Sequence, residues 1–151
     1  MPNDSRPSRT LELRAGLLLG AQRSALTRLA AALSQPANEF VRDAAIQRFE
    51  FSFELAWKSI QAAARVEGQE CSSPRTAFST AWRNRWIAEE SVWLGMLDER
   101  NKTSHTYRDA VAREVFGNLP RHLPHLNQLC DALAKRLAEI ATDAPGPAPE
   151  G

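Results

Sequence analysis

The run Gln47-Arg48-Phe49-Glu50-Phe51-Ser52-Phe53-Glu54-Leu55-Ala56-Trp57-Lys58, continuing through Ile60 to Val66, carries its apolar residues at the spacing of an α-helix. Phe49, Phe53, Trp57, Ile60 and Ala64 fall along one face, because steps of three and four residues return to the same side of a 3.6-residue turn. Phe51, Leu55, Ala62 and Val66 extend the apolar cover toward another face. A helix that is apolar on more than one side belongs at the centre of a bundle or at a subunit interface. It is expected to begin near Asn38 and to stop at Gly68, a residue suited to a helix C-terminus.

Working outward, the same periodicity repeats. Leu19, Leu26, Leu29 and Leu33 form a stripe on a first long helix, which Pro36 ends. Ser73-Pro74 reads as an N-cap followed by proline at the first helical position, opening a helix with Phe78, Ala81 and Trp82. Glu89-Glu90 places acids at the positive end of a fourth helix, whose apolar face is Trp93, Met96 and Leu97. A last helical region runs from about Asp109 to Ala141 with Leu126, Leu129, Leu133 and Leu137 as its stripe, and an interruption is expected around Pro120 and Pro124. No segment shows convincing strand alternation. The expected fold is all-α, an antiparallel bundle of four to five helices spanning residues 9–141. Polar, proline-bearing residues 1–8 and the Pro145, Pro147, Pro149 stretch within 142–151 read as disordered tails.

A chain of 151 residues is long enough to bury one core, and 43% hydrophobic with 25% charged residues is an ordinary globular balance. A net charge of +1 exerts no global pull toward nucleic acid. Five arginines between Ser5 and Gln35 (Arg6, Arg9, Arg14, Arg23, Arg28) face one acid, Glu12; they could meet an anionic partner, but a solvated helix face is the simpler reading. Cys71 and Cys130 form neither a disulfide framework nor a metal-ligand pair, which points to a reduced, cytoplasmic setting. The N-terminus lacks a basic-then-apolar signal pattern, and the apolar run Gly16 to Ala21 is far too short to span a bilayer. No membrane role is expected.

Chemistry concentrates in Asp98-Glu99-Arg100-Asn101-Lys102-Thr103-Ser104-His105-Thr106-Tyr107. Arg100 lies four residues past Met96 and seven past Trp93, so it shares their core-facing side. A guanidinium there must be paired, sit at an interface, or line a site that receives an anion. His105 is five residues further, about 140° around an unbroken helix, so the two groups converge only if the helix ends between them or if two copies meet. Thr103 and Ser104 favour such an ending. The guanidinium fork matches a phosphate, and an imidazole moves protons near neutral pH. Together they suit RNA cleavage without a metal or other cofactor: the imidazole assists attack by the 2′-hydroxyl or protonates the leaving oxygen, while the guanidinium steadies charge at phosphorus. On spacing alone the pattern is weak. The plain alternative is a helix-terminal His105 paired with Asp98 or Glu99.

Other features have plain readings as well. Phe49, Phe53 and Trp57 read as core rather than a base-stacking platform. Glu50, Glu54 and Lys58 read as a salt-bridge ladder rather than catalytic carboxylates. Trp82 and Trp86 flank Arg83 and Arg85, a mix that fits RNA, a dimer or a partner protein. His122 and His125 are expected on the surface, without a role.

Four blocks in order, Gln47 to Lys58, Ser73-Pro74-Arg75, Val92 to Leu97 and Arg100 to Tyr107, make the chain resemble the nucleotidyltransferase substrate-binding, HepT-like family of the HEPN superfamily. The resemblance covers roughly Leu11 to Leu137. It implies an HEPN bundle, usually a homodimer, paired with a cognate minimal nucleotidyltransferase. In toxin–antitoxin members an Arg-x4-His-x-Tyr motif marks a metal-independent ribonuclease toxin, silenced when the partner attaches AMP to the motif tyrosine. Carried over, Arg100 and His105 are catalytic, Asn101 is the supporting polar residue, Tyr107 is the modification site and RNA is the substrate. An adenylate would place bulk and negative charge beside a site meant for RNA phosphate. The same family has also been read as a non-catalytic subunit that binds substrate for its nucleotidyltransferase. A purely structural helical dimerisation module is a third reading.

Overall fold

The structure is a computed structural model that describes residues 6–143. Residues 1–5 and 144–151, where most of the two expected tails fall, lie outside the described residues. Five α-helices and one 3₁₀ turn follow in order: α1 (Arg6–Leu33), α2 (Glu39–Val66), α3 (Pro74–Arg83), α4 (Glu90–Lys102), the 3₁₀ turn Thr103–His105, and α5 (Asp109–Asp143). No strand occurs among the described residues. The outer helices reach a few residues beyond 9–141.

The local signals act where the residue chemistry places them. The Asn38 side chain accepts the Val41 amide at 2.8 Å and starts α2. Ser73 and Thr76 form a capping box over Pro74 at the head of α3. At the end of α2, Gly68 adopts φ 73° while the amides of Gly68 and Gln69 reach back to the carbonyls of Arg65 and Ala64. The end of α3 repeats that pattern with arginine in the glycine position. Arg85 takes φ 63°, its amide bonds the Trp82 carbonyl, and the Trp86 amide bonds that of Ala81. A side chain in this left-handed region costs about 1–2 kcal/mol. Gly68 has open space around the site of a Cβ, so only the backbone penalty applies there. Gly68→Ala is therefore expected to lower unfolding free energy by about 1 kcal/mol, measurable by urea denaturation; no loss would mean that α2 ends by another conformation.

α2 touches every other α-helix and occupies the centre. Phe49, Phe53, Ala56 and Ile60 are fully buried on it, with Trp57 half-buried. An aromatic ladder crosses the core, with ring centroids 6.3 Å apart for Phe49 and Phe53, 5.8 Å for Phe53 and Phe78, and 5.2 Å for Phe78 and Trp93. Short connections join successive helices. α5 then ascends beside α2: its His122 stacks on Phe49, and further along Arg136 pairs with Glu67.

α5 passes through Pro120 and Pro124 without the expected interruption. Both prolines are exposed and four residues apart, so they share a solvent-facing side. The carbonyls they deprive, those of Phe116 and Pro120, lie one turn back on that side, where solvent can replace the lost bonds. Burial of Leu119, His122, Leu126 and Leu129 on the opposite side holds the helix together.

Candidate functional site

The C-terminal end of α4 is built from its own hydroxyl groups. Thr103 Oγ1 donates to the Arg100 carbonyl at 2.6 Å, Ser104 Oγ to that of Asn101 at 3.0 Å, and Thr106 Oγ1 to that of Thr103 at 3.0 Å. Carbonyls left over at a helix end are thereby satisfied, and the chain tightens into the 3₁₀ turn. The helix does end between Arg100 and His105.

Arg100 reaches back to α2. Its Nη2 donates to Glu54 Oε1 at 3.1 Å, Nη1 lies 3.5 Å from Asn101 Oδ1, and the guanidinium carbon sits 5.3 Å from the centre of the Phe53 ring. Glu54 also accepts the Trp57 indole N–H at 2.7 Å, so both its oxygens are engaged. The expected ladder from Glu54 to Lys58 is replaced by this arrangement, because the arginine offers a partly buried partner across the helix interface. Phe53 below, Glu54 on one edge and Asn101 on another hold the fork in a fixed plane.

Glu50, Glu54, Arg100, Asn101, Thr103 and Ser104 line a cleft of about 340 Å³. Burial raises the Glu50 carboxyl above its ordinary range, with the Arg100 charge drawing it partly back. An anion entering here would meet a positive fork, an amide and two hydroxyls, against two carboxylates.

His105 closes the 3₁₀ turn and is exposed. Its ring stands edge-on to Tyr107 with centroids 6.2 Å apart, and the Arg108 guanidinium lies 5.7 Å from the Tyr107 ring centre. Tyr107 is 76% exposed. The motif thus divides in two: Arg100 and Asn101 belong to the cleft, while His105 and Tyr107 sit beyond Ser104 in open solvent. No hydrogen bond joins Arg100 to His105 within the described residues. His105 does not pair with Asp98 or Glu99 either.

Glu99 instead turns inward and meets His122 of α5 at 3.1 Å, both side chains being almost fully buried. His122 also stacks on Phe49 at 5.7 Å. The surface position expected for His122 is thus corrected to a core one: α5 continues through the prolines and carries it to the apolar side. Burial lowers the His122 pKa below its ordinary value, against the upward pull of Glu99. The unfolded chain therefore takes up a proton near pH 6.5 that the folded chain declines. Stability should be full about one pH unit above that value and decline as pH falls through it toward about 5.5, and His122→Gln should flatten this part of the curve. An unchanged slope in the variant would assign the pH dependence to other groups.

Among the described residues no three His, Cys, Asp or Glu side chains gather in a way that could hold a metal ion, and no helix is long and apolar enough to cross a membrane. Cys71 and Cys130 are buried free thiols.

The family described as nucleotidyltransferase substrate binding protein like matches residues 18–135. The chain belongs to that family. It is 31% identical over 97 residues to a Haemophilus influenzae protein named probable ribonuclease HepT, an alignment covering 61% of this chain and 66%, just under two thirds, of that relative. A crystal structure from Thermus thermophilus is 37% identical, with a TM-score of 0.64 over 77% of this chain and 98% of that one. The structure of HI0074 from Haemophilus influenzae, presented as the fold of a substrate binding domain of a nucleotidyltransferase, superposes with a TM-score of 0.70 at 24% identity, covering 77% of this chain and 98% of that one. That likeness establishes the helical fold.

Proposed function

We propose that this protein is a metal-independent endoribonuclease toxin of a two-gene toxin–antitoxin system, neutralised when a cognate minimal nucleotidyltransferase attaches AMP to Tyr107. The observation that carries the reading is the complete Arg100, Asn101, His105, Tyr107 set at one helix end, with the Arg100 fork held in an open cleft. The named relative, a probable ribonuclease, supports it.

In this reading the Arg100 fork binds a backbone phosphate of RNA. The ribose 2′-oxygen attacks phosphorus, a P–O2′ bond forms and the P–O5′ bond breaks. His105 takes the proton from the 2′-hydroxyl or gives one to the departing 5′-oxygen, and Arg100 stabilises the charge that builds on the phosphoryl oxygens. Because His105 stands outside the Arg100 cleft of its own protomer, the RNA strand itself, or a second copy, bridges the two groups. Leu13, Leu17 and Phe51 are exposed at 63%, 77% and 53%, an apolar face fitting the homodimer that the family resemblance implies.

Silencing follows from the position of Tyr107. Its exposed hydroxyl attacks the α-phosphate of ATP in the partner's active site, pyrophosphate departs, and the tyrosyl adenylate stands beside His105. Expression of the chain alone should arrest growth, co-expression with the neighbouring nucleotidyltransferase should relieve it, and Tyr107→Phe should stay toxic despite the partner. Full relief of Tyr107→Phe would remove Tyr107 from the mechanism. The second reading, a non-catalytic subunit presenting substrate to the nucleotidyltransferase, is favoured by the Glu50 and Glu54 carboxylates in the Arg100 cleft, which weaken its pull on phosphate. It predicts a stable complex with the enzyme and no cleavage of RNA by the purified chain.

A further inference from the structure

A cleft of about 740 Å³ takes no part in the chemistry above. It opens where α3 ends and α4 begins, and His125 and Gln128 of α5 form part of its wall. Its volume is that of a small-molecule site. Trp82 lines it half-exposed, whereas Trp86 is buried in the wall. Arg83 and Arg85 share the rim. Arg83 makes a single long contact, 3.5 Å to Thr80, and the Arg85 side chain forms no hydrogen bond or ion pair among the described residues.

The backbone of Arg85 at the rim is itself strained, at φ 63°. The chain ends α2 with glycine in the left-handed position and ends α3 with arginine in the same position. Strain of this kind collects where a side chain is needed at a particular place, notably at ligand sites.

We propose that this cleft binds a nucleotide unit, its base stacked on the Trp82 indole and its phosphate held between Arg83 and Arg85. Either half of the cleft alone would suit a simpler ligand: the indoles an apolar molecule, the guanidiniums a bare anion. Their combination selects a molecule with both an aromatic plane and a phosphate. His125 and Gln128 supply hydrogen bonds for the base edge or the sugar. Glu89 adds one negative charge to the lining and so favours a single phosphate over a chain of them. The site requires neither Arg100 nor His105, and it stands whether or not the chain cleaves RNA.

The nucleotide can be free or part of a strand. Calorimetric titration of the full chain with AMP, and separately with single-stranded hexadeoxyadenylate, which lacks the 2′-hydroxyl and so survives any ribonuclease, distinguishes the two. Comparable affinity for both identifies a free nucleotide, and binding of the oligomer alone identifies a strand. In either case Trp82→Ala should weaken binding at least about fivefold, with Trp82→Phe restoring most of it. Arg85→Gly should weaken binding while raising the melting temperature, since it removes the guanidinium and the backbone strain together. That divergence excludes unfolding as the cause. Absence of binding by both probes, or binding indifferent to Trp82→Ala and Arg85→Gly, overturns the proposal.

Discussion

Replacing His105 by alanine is expected to slow RNA cleavage by at least about a hundredfold without changing the melting temperature. A positioned proton-transfer group contributes about 10²–10⁴ in rate. His105 is exposed and its side chain makes no hydrogen bond among the described residues, so its removal uncovers no buried surface and orphans no partner. Arg100→Ala behaves differently. It removes the phosphate fork and also leaves Glu54 without its charged partner, so activity and stability should fall together. Arg100→Lys preserves the charge but not the two-pronged geometry, and should recover stability better than cleavage. Cleavage rates and thermal melts on the same three preparations check this, and a His105→Ala protein retaining full activity would dismiss His105 from catalysis.

Phe53→Ala carries the largest expected loss of stability, about 3–5 kcal/mol, since a fully buried ring leaves a cavity that neighbouring helices close only in part. For a single domain that is a large share of the total. The ring contacts Phe49 and Phe78 and underlies the Arg100 guanidinium, so the loss has a functional side. Phe53→Leu preserves most of the volume and removes the π face. It should cost far less stability than alanine while still loosening Arg100. Urea denaturation of the two variants separates packing from support of the fork. A Phe53→Ala loss below about 1 kcal/mol would mean that the core around α2 repacks freely.

The helices were legible because their signals are local. A capping side chain three residues from its target, a proline at a first turn and apolar steps of three and four act within one element, so Asn38, Ser73 and the Phe49–Phe53–Trp57 stripe read correctly without knowledge of the fold. Arg100 was legible as a problem: a charge on a core-facing stripe demanded a partner. Its partner was not, because Glu54 lies 46 positions away and also has Lys58 one turn along, the nearer choice in sequence. His122 was misplaced for a related reason. The break expected at Pro120 and Pro124 took no account of where those prolines face, and only the packed bundle shows that both point to water while His122 turns to Glu99 and Phe49. The Trp82–Arg85 stretch was visible as a composition, but the cleft it lines needs α5, some forty residues further on.

In the proposed mechanism Arg100 and His105 act on one RNA phosphate without a metal. The most direct test incubates the purified chain, free of its nucleotidyltransferase, with RNA in excess EDTA and determines the product ends by mass spectrometry. Cleavage is expected to leave a 2′,3′-cyclic phosphate and a 5′-hydroxyl, and to be lost in Arg100→Ala and His105→Ala. Intact RNA with the wild-type chain, or the same products from both variants, would contradict it.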